Sequence, residues 1–250
     1  MSGRLNGKVA LVTGGSSGIG LAAAIRFVAE GATVYVTGRK QDALDKAVRS
    51  TGGKITAVRA DSGVVADLHK LYATIRQKSG KLDVLFVNAG IAAFVPLQAV
   101  TEEHYDSIVN TNLKGVVFTV KEALPLLSEG ASIILNSSGA ASRGLQAFSV
   151  YSATKAAIRN LARSWILDLR NQKIRINVIS PGMIDTPAID GLAPDEASAA
   201  AMKAHFASQN PLGRIGTPED IASAAVFLAS EDAAYINGVD IPVDGGAAQI

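Results

Sequence analysis

Lys8-Val-Ala-Leu-Val-Thr-Gly-Gly-Ser-Ser-Gly-Ile-Gly20 begins as a short apolar run and breaks into four glycines within seven residues. Lys8-Val-Ala-Leu-Val12 reads as a buried strand. A helical pattern spanning 18–30 starts before the glycines end. Glycines between a strand and a helix let the backbone turn tightly, approach a diphosphate closely and pack the helix on the sheet. The helix start offers unpaired N–H groups and a positive dipole end to the phosphates. The spacing Gly14-x-x-x-Gly18-x-Gly20 differs from the G-x-G-x-x-G of the general dinucleotide fingerprint. Alone it would mark only a tight turn; its place after the first strand points to a dinucleotide.

Downstream, short β-branched runs alternate with amphipathic stretches. Strands are predicted at 33–36, 54–59, 83–87, 132–135, 174–179 and 239–243, and helices at 41–50, 65–79, 102–128, 151–170 and 218–229. Right-handed crossovers then put helices on both faces of a parallel sheet. The expected fold is a single doubly wound Rossmann-type α/β domain over 1–250, three layers deep. Thr217-Pro-Glu-Asp220 supplies an N-cap, a first-turn proline and acids for the last helix. The stretch Pro181–Gly216 falls outside the alternation and contains an Ala-rich helical piece at 194–208. A connection of that length reads as a binding loop or lid, with a substrate loop at about 183–213.

Composition narrows the function classes. Apolar residues are 48% of the 250, enough for a large core. The 24 Lys+Arg against 22 Asp+Glu leave a net charge of +2, too small to suggest a nucleic-acid or membrane-surface partner. With no cysteine, disulfides and thiolate zinc sites are excluded. His69, His104 and His205 lack metal-site spacing. The N-terminus reads as no secretory signal, and no run approaches a membrane span, so a soluble cytoplasmic protein is expected.

Tyr151-Ser-Ala-Thr-Lys155 opens a helical pattern. Residues four apart share a helix face, so the ammonium of Lys155 is expected to lower the pKa of the Tyr151 phenol. A Tyr tuned that way exchanges a proton near neutral pH. Ser137-Ser138 follow a buried strand at the sheet's carboxyl edge, where ligands of this architecture bind, and Asn88-Ala89-Gly90 end another there. Asn112 lies inside a long helical pattern despite mediocre propensity, as a kink or capping residue would.

In this order the chain resembles the short-chain dehydrogenase/reductase family over nearly its whole length. It carries T-G-x-x-x-G-x-G at 13–20, N-A-G at 88–90, Asn112, Ser138, Y-x-x-x-K at 151–155, Pro181-Gly182 and Val243-Asp-Gly-Gly246. It departs at Val87, where many members have a second Asn. The resemblance implies a catalytic tetrad. Tyr151 is its general acid or base, and Ser138 the donor to the carbonyl oxygen. Lys155 tunes Tyr151 and binds the nicotinamide ribose, while Asn112 holds a water in a proton relay. It also implies cofactor contacts from Gly14, Ser16, Ser17, Gly18, Ile19 and Gly20 in the turn. Asp61 and Ser62 lie at the adenine, Asn88, Ala89 and Gly90 at the ribose, and Pro181, Gly182, Ile184 and Thr186 at the nicotinamide and diphosphate.

The cofactor is expected to be NADP(H). An NAD site usually has a carboxylate ending the second strand; here Thr37-Gly38-Arg39-Lys40 has none, Arg39 can pair with a 2′-phosphate, and Lys40 is a further expected coenzyme contact. Gly38 admits the backbone, and Ser16 can add a hydroxyl donor. The expected activity is reduction of a ketone to a secondary alcohol and the reverse. A 3-oxoacyl thioester reductase and a non-catalytic NADP(H)-binding protein are the alternatives; a sugar-nucleotide epimerase would need a larger C-terminal region. Met183, Leu192, Phe206, Gln146 and Phe148 suggest an apolar small-molecule ketone, with Arg143 the one charge nearby. The resemblance further implies a homotetramer, for which the helices at 102–128 and 151–170 offer apolar faces.

Overall fold

The computed structural model describes residues 3–248. Its strands are β1 (Val9–Val12), β2 (Thr33–Gly38), β3 (Ile55–Arg59), β4 (Leu82–Val87), β5 (Leu127–Asn136), β6 (Arg175–Pro181) and β7 (Asp240–Val243). They form one parallel sheet in the order β3-β2-β1-β4-β5-β6-β7. The chain runs outward from β1 to β3, then returns to pair β4 with β1 and continues the other way. Between the carboxyl ends of β1 and β4 the crossovers diverge, opening a crevice there.

Alternation along the strands divides the core into two. Ala10, Val12, Val34, Val36, Val84, Phe86 and Ile134 face α1 (Gly18–Ala29), α2 (Gln41–Ser50) and α9 (Pro218–Ala229). Val9, Leu11, Tyr35, Leu85, Ile133, Leu135 and Val178 face α3 (Val65–Ser79), α5 (Gly115–Ala123) and α6 (Ser149–Asp168). Burial on both faces is why the strands read as continuous apolar runs. Thr217 and Asp220 form a reciprocal capping box at the start of α9, as its sequence predicts.

Two expectations are corrected. The helix predicted at 102–128 is α4 (Glu102–Val109), a π-helical turn (Asn110–Lys114), α5 and a 3₁₀ turn (Leu124–Leu126). Apolar periodicity continues through the π turn, so the pattern hides the break. The strand predicted at 132–135 begins at Leu127, because a register shift against Leu82 and Val84 lets its irregular start still pair. The stretch after β6 contains α7 (Pro187–Asp190) and α8 (Glu196–Gln209), and its ends meet in a bridge between Ile184 and Gly216. No helix among the described residues is long and apolar enough to cross a membrane.

Candidate active site

A cleft of about 350 Å³ opens at the carboxyl ends of the strands. At its floor, Gly14 and Gly18 hold φ of +66° and +51°, which glycine adopts without strain. Ser17 caps α1 without using its side chain. A Cβ on Gly20 would overlap the Gly14 carbonyl and come within 2.7 Å of the Asn88 amide. Gly20 is therefore needed for close packing and does not line the cleft. These features fit a dinucleotide: a glycine cradle closed by any side chain, beneath the positive end of a helix.

Polar side chains tie this turn to β4 and β5. The Thr13 hydroxyl oxygen accepts the N–H groups of Asn88 (3.0 Å) and Ala89 (3.1 Å). Asn88 Nδ2 donates to the Thr13 carbonyl at 3.0 Å, which fixes its Oδ1 as an acceptor for Asn136 Nδ2 at 2.9 Å. The Asn136 carbonyl in turn accepts from Lys155 Nζ at 2.8 Å. Sequence reading quoted Thr13 only as part of a motif, without a role, and missed Asn136; both roles depend on strands distant in the chain. Their position, ending buried strands at the ligand-binding edge, was the available signal.

Ser138, Tyr151 and Lys155 line one end of the cleft together. Ser138 Oγ accepts the Ala140 N–H at 3.1 Å, which leaves its proton free to donate. Tyr151 lies in the first turn of α6, and burial pushes its phenol up while a hydrogen bond with Ser138 pulls partly back. Burial pushes the Lys155 ammonium down to about 8. The expected lowering of Tyr151 by Lys155 is thus not the balance in this structure, where desolvation dominates both groups. Lys155 Nζ is 5.6 Å from the Tyr151 ring centre. Asn112 is fully buried in the π turn and does not line the cleft. Its Oδ1 accepts the Ile91 N–H at 2.9 Å, and its Nδ2 donates to the Ile91 carbonyl at 2.8 Å. A Cβ on Gly90 would lie 3.3 Å from Asn112 Oδ1 and 3.4 Å from Lys155 Nζ, so the two groups flank one glycine.

The other expected contacts divide cleanly. Gly14, Ser16, Ser17, Gly18, Ile19, Gly38, Arg39, Asp61, Ser62, Asn88, Ala89, Gly90, Pro181, Gly182, Ile184 and Thr186 line the cleft; Lys40 does not. Gly38 and Ser16 touch: a Cβ on Gly38 would lie 3.0 Å from Ser16 Oγ. Arg59, ending β3, donates from Nε to the Arg39 carbonyl at 3.1 Å, a neighbour that sequence reading missed. On the substrate side Leu192 lines the cleft, whereas Met183, Phe206, Gln146 and Phe148 do not. Arg143 is engaged elsewhere, donating to the Ala247 carbonyl at 2.7 Å. That carbonyl belongs to a C-terminal turn in which Asp244 accepts the N–H groups of Gly246 (2.9 Å) and Ala248 (2.8 Å). Asn210, after α8, donates to the Asp244 carbonyl at 2.8 Å.

Comparison with known proteins follows the same outline. Residues 14–248 match the family described as enoyl-(acyl carrier protein) reductase. The oxidoreductase asL5 of Sarocladium schorii is 46% identical over 249 residues, covering 99% of this chain and 98% of that protein. The NADP-dependent (R)-specific alcohol dehydrogenase of Lentilactobacillus kefiri is 38% identical over 253 residues, 98% of each. A crystal structure of a short-chain dehydrogenase/reductase, glucose/ribitol dehydrogenase, from Brucella melitensis superposes with a TM-score of 0.89 at 32% identity, covering 99% of both chains. With its sheet, its cleft and its end-to-end relatives in agreement, the chain belongs to the short-chain dehydrogenase/reductase family of oxidoreductases.

Proposed function

We propose that this protein is an NADP(H)-dependent oxidoreductase that interconverts a small-molecule ketone and a secondary alcohol, working as a homotetramer. The observation that carries this reading is that Ser138, Tyr151 and Lys155 share one cleft with the glycine turn. The bound nicotinamide supplies or receives the hydride, and the protein supplies orientation and electrostatics. Ser138 donates to the substrate oxygen and stabilises the charge developing there. Tyr151 gives its proton in reduction and takes one in oxidation. Lys155, anchored on Asn136, holds the ribose hydroxyls. Asn112, its side chain engaged by Ile91 and Thr154, serves the proton relay by shaping the turn beside Lys155.

The preference for NADP(H) rests on the end of β2. Thr37 is buried and carries no charge, while Arg39 lines the cleft with Ser16 and Gly38 beside it. Arg59 brings a second guanidinium to the same corner. Lys40, exposed outside the cleft, adds charge only at a distance. The NADP-dependent relative from Lentilactobacillus kefiri supports this reading. A charge-assisted hydrogen bond is worth ~1.5–3 kcal/mol, so Arg39 supplies roughly ten- to hundredfold discrimination.

Coenzyme oxidation with aryl and alkyl ketones is the direct test. Wild type should favour NADPH, and Arg39→Ala should cut that preference by about tenfold or more. A preference for NADH, or an unchanged ratio in the variant, rejects the cofactor assignment. Tyr151→Phe should lower turnover by ~10²–10⁴-fold with the cofactor still bound; retained turnover rejects Tyr151 as proton donor. A 3-oxoacyl thioester is the second substrate reading, favoured by a 36% identical relative, the 3-oxoacyl-[acyl-carrier-protein] reductase of Thermotoga maritima. Including one in the panel separates the two, and turnover of neither leaves a cofactor-binding protein.

A further inference from the structure

The loop after β4 and the loop before α6 are joined at adjacent positions by two different interactions. The Val95 N–H donates to the Ala147 carbonyl at 2.7 Å. Next to that bond, the rings of Phe94 and Phe148 stack with centroids 4.5 Å apart and planes 29° from parallel. The other neighbour of Phe148 is Tyr151, at 4.4 Å and 32°. Aromatic pairs at such separations attract beyond simple area burial. Phe148 lies at the N-cap of α6, so a spacing of three brings it onto the Tyr151 side of the helix.

We infer that Phe148 is a positioning residue for Tyr151, clamped by Phe94 and by the Val95–Ala147 hydrogen bond. The inference rests on the reading of Tyr151 as proton donor. The helix fixes the Tyr151 backbone but leaves its two side-chain torsions to be set by neighbours. Phe148 is 8% exposed and held between two rings, while Phe94 closes the row and remains 40% exposed. The backbone is bent to achieve this. Ala147 takes φ of +59°, a left-handed conformation unfavourable for a residue with a Cβ. Such strain persists where the surroundings over-determine it, and here it directs the Ala147 carbonyl to Val95 and turns the chain into Phe148. The row therefore sets the phenol's position through the ring of Phe148.

Phe148→Leu, Phe148→Tyr and Phe94→Leu test this. The assay is NADPH oxidation with the fastest ketone from a panel of acetophenone, cyclohexanone and ethyl acetoacetate. Misplacing a reacting group by about 1 Å can cost ~10²-fold, so Phe148→Leu should lower kcat by roughly tenfold or more. Its NADPH Kd should stay within about twofold of wild type, because no coenzyme contact is removed. Phe148→Tyr keeps the ring and should recover most of kcat. Phe94→Leu, which removes the partly exposed end of the row, should lower kcat by a smaller factor. Full kcat in Phe148→Leu overturns the inference. So does an equal defect in Phe148→Tyr, or a kcat loss matched by lost NADPH affinity. If wild type turns over no ketone, the functional reading and the clamp's catalytic role both fall. If wild type is active and the leucine variants match it, the clamp alone falls.

Discussion

Lys155 Nζ reaches one carbonyl, that of Asn136, from a side chain that is almost wholly buried. Burial pushes its ammonium down to about 8, while an unfolded lysine titrates near 10.4. Between those values the unfolded chain binds more protons than the folded one, so this group adds stability as pH rises from 8 towards 10. The slope is at most ~1.4 kcal/mol per pH unit. Urea unfolding of wild type and Lys155→Met at pH 7, 8.5 and 10 checks it: the difference should move in favour of wild type as pH rises. A constant difference means Lys155 is not held in this way. At the residue scale, the sequence exposed groups whose chemistry and spacing recur together, Ser138, Tyr151 and Lys155 among them. It did not expose Asn136, Phe94 or Arg59, ordinary residues in their own segments that acquire partners only when distant segments meet. It also assigned coenzyme contacts to Gly20 and Lys40, because adjacency along the chain does not say which way a residue faces.

Elements were legible where period and punctuation agreed. The helices at 41–50, 65–79 and 218–229 have the bounds their patterns predict, and α9 begins on the capping box written in its sequence. The break at Asn110–Lys114 was not, since one extra residue per turn barely disturbs an apolar stripe; the weak helix formers Asn110, Thr111 and Asn112 were its trace. The segment after β6 is proposed to close over bound substrate and coenzyme. It is pinned by Lys203 of α8, whose Nζ meets Asp185 and Asp190 at 2.6 Å each on either side of Thr186. Both carboxylates are largely exposed, so solvent screens each pair and neither adds much to global stability. Lys203→Met should therefore raise the coenzyme KM by up to about fivefold and speed hydrogen exchange over 185–192, leaving the melting temperature nearly unchanged. Unaltered exchange in that segment would mean Lys203 does not hold it.

Across the whole molecule, the alternation of strands and helices was enough to predict a parallel sheet with two covered faces. Association leaves a fainter trace, because an apolar helix face looks the same whether it covers a sheet or another chain. Val117, Val120, Leu124, Trp165 and Leu169, together with Lys121 and Asp168, line a groove of about 260 Å³ along α5 and α6, and Leu167 of α6 is 68% exposed. Patches of this kind mark contact sites, and the proposed tetramer would cover this one. Light scattering at micromolar concentration should give four times the 25.8 kDa of one chain, and Trp165→Glu should lower that mass. A wild-type mass of one chain rejects the assembly. Asn210 and Arg143 grip Asp244 and Ala247 of the C-terminal turn, linking the last described residues to the end of α8 and to the loop that follows Ser138. A strain applied anywhere in this turn would therefore reach two distant places at once, the segment leading out of α8 and the loop beside the Ser138 hydroxyl.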